Sequence, residues 1–239
     1  MSQKMALDQS EPLARAATTA IRAGDTTALG ALLAANTSLA GTLIVDPQGC
    51  GRTLLHIATD WPGNFPQVAS SIALLVKAGA DVNARFSGSH KETPLHWAAS
   101  CNDIAAIDAL LDCGAATEAD GGVIAHGTPL ADAVAFGQWA AAKRLVERGA
   151  RANLWQAAAL GMHTQVAAEL SAQTAPSREA IDIAFWYACH GDAQNTAEQL
   201  LDRGAALNKL GFDDLTPLGA AVRAQALGLA AWLRARGAK

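Results

Sequence analysis

Four cysteines, six histidines and a few carboxylate pairs are the residues of this chain that could carry metal, nucleophilic or acid–base chemistry. A zinc site draws its ligands from short, paired spacings such as Cys-x-x-Cys or His-Glu-x-x-His. Cys50, Cys101, Cys113 and Cys189 show no such pairing and the histidines form neither motif, so no metal and no other cofactor is expected. Cys189 and His190 are neighbours in sequence, but on a helix adjacent side chains diverge by about 100°, whereas a nucleophile and its base need hydrogen-bond contact. Cys101 has no evident base and reads as a small packing residue. The carboxylate pairs Asp213-Asp214 and Asp108 with Asp112, the latter at helical i,i+4 spacing, are accounted for by a solvated face. Gly121-Gly122 is followed by no Lys-Ser/Thr and is not a phosphate loop. No catalytic constellation emerges, and none is assigned.

Composition narrows the remaining classes. Of 239 residues, 51% are hydrophobic and 17% charged, against a typical charged share near a quarter, so the chain folds. Lys and Arg number 18 against 22 Asp and Glu, a net −4. That balance forces no basic face for nucleic acid or anionic lipid. Met1 to Pro12 is polar and lacks the apolar stretch of a signal peptide. No run approaches the ~18 uncharged apolar residues of a spanning helix. With unpaired cysteines read as reduced thiols, the expectation is a cytoplasmic protein with no membrane and no nucleic-acid partner.

What must position any functional residue is a set of repeated helices. Fifty-six alanines favour closely packed helices, and self-similarity is visible by eye. Thr53-Leu-Leu-His-Ile-Ala58, Thr93-Pro-Leu-His-Trp-Ala98, Thr128-Pro-Leu-Ala-Asp-Ala133 and Thr216-Pro-Leu-Gly-Ala-Ala221 are one phrase. A second phrase, leucine or a leucine pair followed by Gly-Ala, ends at Gly79, Gly114, Gly149, Gly204 and Gly237, which are 35, 35, 55 and 33 residues apart. The long step hides a shortened, degenerate unit. Thr can cap a helix start and Pro fits its first turn. The leucines recur on one helical face, Leu111 among them as a core position, and Gly suits the left-handed position that ends a helix. Each unit reads as helix, turn, helix and loop, and a single pair cannot bury its own apolar face without neighbours.

These phrases resemble those of the ankyrin repeat, with its period near 33 and its Thr-Pro-Leu-His-x-Ala signature. The resemblance covers nearly the whole chain. It implies an all-α fold, an ankyrin-repeat solenoid of stacked helix-turn-helix units with short β-turn fingers. The expected organisation is a flexible tail over 1–12 and a single repeat domain over 13–239, with units at about 13–40, 50–83, 91–118, 126–151, 152–175, 178–207 and 214–239. It also implies that His56 and His96 hydrogen-bond across neighbouring units. The tryptophans at 97, 139, 155, 186 and 232 are expected to fill gaps between units, each indole N–H needing an acceptor.

In this family, variable positions near the end of each first helix face a concave groove edged by the fingers. By alignment, the resemblance places Asp60, Trp61, Ser100, Cys101, Phe136, Leu160, His190 and Arg223 there, with Phe86 and Ile124 contributed by fingers. Trp61, Phe136, Leu160, Phe86 and Ile124 would form an apolar strip, since aromatic side chains are favoured anchors at interfaces. The competing reading for Trp61 is that it packs on Phe65 to hold down its loop. The resemblance implies a non-catalytic module that binds another protein. The alternative is a small-molecule binder or unusual enzyme with a pocket bounded by Trp61, Phe86, Cys101 and Phe136.

Overall fold

In the computed structural model, which describes residues 5–239, the threonines that open each repeated phrase are helix N-caps. Thr53 begins α3 (Leu54–Thr59) and Thr93 begins α5 (Pro94–Ser100). In both, the backbone N–H of the threonine donates to Nδ1 of the histidine three residues on, at 3.3 Å for His56 and 3.1 Å for His96. An acceptor at Nδ1 leaves the proton on Nε2. Nε2 of His56 reaches the Glu92 carbonyl and that of His96 the Gly127 carbonyl, each at 3.1 Å. The signature histidines therefore close their own helix and bind the next repeat, as the resemblance implies. Burial lowers the His96 pKa to about 4, which keeps the imidazole neutral for this role.

The second phrase ends helices in a uniform way. Gly79, Gly114, Gly149, Gly204 and Gly237 take φ between +87° and +98°, a region open to glycine at little cost. The following alanine N–H bonds back to the carbonyl of Leu75, Leu110, Leu145, Leu200 or Leu233, the outer hydrogen bond of a Schellman cap. Each of these leucines, four residues before its glycine, is fully buried. Leu111 is only half-buried, so the expected register is off by one there: the inward side chain is that of Leu110.

The helices come in consecutive pairs and fall into two compact units, one ending at Ala150 and one over Arg151–Lys239. The first unit holds α1 (Pro12–Ala23) with α2 (Thr26–Ala35), α3 with α4 (Val68–Lys77), α5 with α6 (Ile104–Asp112), and α7 (Pro129–Ala135) with α8 (Trp139–Glu147). Within it the first helices α1, α3, α5 and α7 pack side by side in that order, and so do the second helices α2, α4, α6 and α8. The second unit holds α9 (Leu154–Ala159) with α10 (His163–Leu170), α11 (Arg178–His190) with α12 (Gln194–Asp202), and α13 (Pro217–Arg223) with α14 (Leu227–Ala235). There α11 lies between α9 and α13. In α9 the Asn153 and Gln156 side chains close a capping box, Gln156 standing where the signature has histidine.

Two features depart from the expected helices and tail. A small sheet joins β1 (Ala6–Asp8), β2 (Leu43–Val45) and β3 (Gly51–Arg52) in the first unit, β1 parallel to β2 and β2 antiparallel to β3. Residues 1–4 of the expected tail lie outside the described residues, but residues 6–8 are paired strand and Pro12 already begins α1. The surface at Asp108 and Asp112 carries, beyond the expected solvated face, an ion-pair network. Arg144 binds Asp108 through Nε at 2.8 Å and Nη2 at 3.0 Å, and Arg148 joins Asp108 and Asp112, each at 2.6 Å. This ties α6 to α8. No described helix is long and apolar enough to cross a membrane.

Candidate functional site

The ends of the first helices are where the sequence places its candidate residues, and in the first unit they differ sharply in what they offer. Asp60 caps the end of α3, and its Oδ2 accepts from Arg52 at 2.9 Å and Arg22 at 3.4 Å. Trp61, next to it, is 80% exposed. That exposure rules out a loop held down by Trp61 packing on Phe65. The loop is anchored two residues later. The Asn64 N–H donates to Oδ2 of buried Asp103 at 2.6 Å, and Gly63 lies so close to Cys101 that an added Cβ would be 2.6 Å from its Cβ. Cys101 thus packs beneath the loop, its thiol directed at the Thr59 carbonyl. Burial pushes that thiol up to about 11, which leaves negligible thiolate for nucleophilic chemistry. Ser100, the last residue of α5, is half-buried beside it in sequence. Phe136 ends α7 and is 45% exposed.

The finger residues are turned to packing. Phe86 packs against Trp97 with ring centroids 5.5 Å apart and the planes tilted by 54°, and Trp97 meets His56 edge-on at 4.9 Å. The Trp97 indole N–H donates to Glu92 at 3.1 Å, the acceptor its burial demands. Ile124 is half-buried, and its N–H donates to Asp132 Oδ1 at 3.2 Å. This exposes a pair the sequence reading missed. Asp132 and Glu92 are both buried, and the finger backbone folds so tightly over Asp132 that a Cβ at Gly122 would be 2.7 Å from its Oδ2. Burial, followed by the nearby Glu92 charge, raises Asp132 to about 7. Burial also raises Glu92, against the lowering effect of the Trp97 hydrogen bond. Oδ1 of Asp132 accepts the Ile124 N–H, while its buried Oδ2 has no hydrogen-bond partner, so the fold favours the neutral, protonated acid. The readable signal was a carboxylate in Thr-Pro-Leu-Ala-Asp-Ala at the position that holds Ile57 and Trp97 in the sister phrases.

In the second unit Leu160 caps α9 and is half-buried. His190, placed at the groove by alignment, is buried and stacks on Trp186 at 5.5 Å. It is thereby withdrawn from the surface, because α11 runs 13 residues and His190 falls one turn after Trp186 on the same face. The neighbouring Cys189 thiol is pushed up to about 12 by burial. Arg223 lies over the Trp186 ring at 5.9 Å and pairs with Asp213 at 2.6 Å. Trp186 donates to the Leu215 carbonyl at 2.8 Å.

The structure thus brings Asp60, Trp61 and Cys101 to one end of α3 and α5. It joins His190 and Arg223 through Trp186, and sets Phe86 into an aromatic cluster with Trp97. Besides these, the first unit contains a cavity of about 390 Å³ lined by α1 and the sheet, including Arg15, Arg22 and Arg52. None of Trp61, Phe86, Cys101 or Phe136 lines it.

Comparison with protein families matches residues 69–156 to ankyrin repeats in three copies and residues 50–86 to a further ankyrin repeat. Comparison with curated proteins finds no match.

Proposed function

Since the chain is an ankyrin-repeat protein, of a class whose repeats are generally protein–protein interaction modules, we propose that it acts without catalysis, binding a partner protein through the concave face formed by its first helices and fingers. On this reading the helix pairs outside residues 50–156 are diverged repeats. One observation carries it: large aromatic side chains stand exposed at equivalent helix ends, Trp61 after α3 and Phe136 at the end of α7. Fold alone does not assign function, but exposed aromatics at equivalent places in two repeats of one stack are anchors for a partner. Asp60 and Ser100 then belong to the surrounding contact surface of the first unit, with Ile124 at a finger, and Leu160 and Arg223 stand at the first-helix ends of the second unit. Phe86, Cys101 and His190 support it from beneath, being committed to Trp97, the 61–66 loop and Trp186.

The half-buried Cys101 and buried Cys189, both held as thiols, favour this reading over covalent catalysis. The small-molecule alternative gains nothing from Phe86, which packs on Trp97, or from Trp61, which stands in solvent. The test is affinity capture with mass spectrometry, using the wild-type chain against the W61A/F136A double variant. Loss of specific partners by the double variant, at unchanged thermal melting, is expected. Unchanged capture discards the assignment.

A further inference from the structure

The cavity in the first unit has an unusual chemistry for a chain of net charge −4. Helix α1 is nearly all alanine on one side, with Ala14, Ala17, Ala20 and Ile21 buried. On the other, Arg15, Thr18, Thr19 and Arg22 follow the i, i+3, i+4, i+7 spacing of a single helical stripe, and all four line the cavity. The opposite wall comes from the sheet: Ile44 on β2, Arg52 on β3, and Gln9 and Ser10 just after β1. The Gln9 N–H donates to the Val45 carbonyl at 2.9 Å, which fixes that wall. No carboxylate lines the cavity. Asp8, nearby, is already engaged by the Ser10 amide and hydroxyl.

We propose that this cavity is an anion site for an acidic, Asp/Glu-bearing segment of the partner protein, with Arg15, Arg22 and Arg52 as its donors. The inference rests on the interaction-module reading above and names the chemistry of the partner. Asp60 shows what two of these arginines hold: one carboxylate oxygen shared between Arg52 and Arg22. A guanidinium has five donors, so most of those on Arg22 and Arg52 are left over. Among the described residues, Arg15 makes no ion pair and brings an uncompensated charge to the cavity. Planar guanidiniums bind carboxylates in two-point fashion, and a volume of about 390 Å³ admits a few side chains of a peptide. A nucleic-acid strand fits less well. The apolar lining is Ile44 and Ile57, with none of the aromatic platforms on which unpaired bases stack.

The test is isothermal titration of the full chain with three probes: acetylated, amidated hexaglutamate, the matching hexaglutamine, and an oligouridine. Hexaglutamate is expected to bind with an affinity that falls as salt is raised, and the other two to bind far more weakly. Arg15 is exposed, so R15Q folds as wild type by circular dichroism and lowers hexaglutamate affinity about tenfold. R234Q removes the same charge in the second unit and leaves affinity unchanged. Absence of hexaglutamate binding overturns the proposal, as do equal losses in R15Q and R234Q or preferential binding of oligouridine. Each of these three failures is separable from that of the broader reading, because partner capture by wild type but not by W61A/F136A reports on the exposed aromatics and not on this cavity.

Discussion

Replacing Asp132 with asparagine removes a buried charge without removing its shape. The asparagine Oδ1 still accepts the Ile124 N–H, and its neutral amide takes the place of the Oδ2 that has no hydrogen-bond partner. In the folded chain Asp132 titrates at about 7, against an ordinary 3.8, because burial and then the Glu92 charge disfavour ionisation. A raised acid pKa means that the fold binds a proton the unfolded chain releases. The contribution is therefore fully present below pH 3.8 and is lost as pH rises to about 7. Above that, holding the ionised carboxylate costs roughly 4 kcal/mol relative to the unfolded chain. D132N escapes this cost, so its advantage over wild type grows by roughly 2–3 kcal/mol between pH 5 and pH 8. His96 acts with the opposite sign. Its folded value of about 4 lies below the ordinary 6.5, so its contribution is present above pH 6.5 and lost as pH falls toward 4. It is common to both proteins and cancels in their difference. Urea unfolding of the two proteins at a series of pH values measures that difference directly. An advantage that does not change with pH, or a D132N protein less stable than wild type at pH 8, refutes the reasoning.

Other perturbations follow from packing. L110A removes a fully buried side chain and is expected to cost about 2–5 kcal/mol, with L111A costing clearly less; equal losses in thermal melts would return the register to Leu111. G63A introduces a Cβ 2.6 Å from that of Cys101 at φ +72° and is expected to cost about 1–3 kcal/mol. C101A should not rescue G63A, because the Cβ remains, whereas C101G should in part; rescue by C101A would place the clash elsewhere. The exposed W61A and F136A changes should leave the melting temperature within the range of ordinary surface substitutions, under about 0.5 kcal/mol.

The helix boundaries were legible because they depend on local chemistry. Thr caps, Pro in the first turn and Gly in the left-handed region each act over four residues, and even α9, whose box uses Asn153 and Gln156, announced itself through Leu154-Trp155-Gln156. Features set by tertiary pairing were not. Strand β1 is three residues long, too short for an alternating pattern, and it forms because β2 offers an edge nearly forty residues on. The Asp132–Glu92 pair depends on a glycine finger folding back onto α7. His190 was aligned to a variable surface position, but a longer helix rotates it against Trp186. The arginine stripe on α1 was readable at its helical spacing, yet Arg52 and Gln9 join it only through the sheet.

Asp103 serves two neighbouring helix pairs at once. One of its oxygens caps α6 by accepting the Ala106 N–H at 2.9 Å, and the other accepts the Asn64 N–H from the loop of the preceding repeat. In a linear array, stability divides into what each module has alone and what each junction adds. A carboxylate that serves both neighbours moves part of a helix's own stability into the junction. Fraying of the 61–66 loop and loosening of α6 then become one event, and this stretch of the array melts as a block where independent caps would let it open module by module.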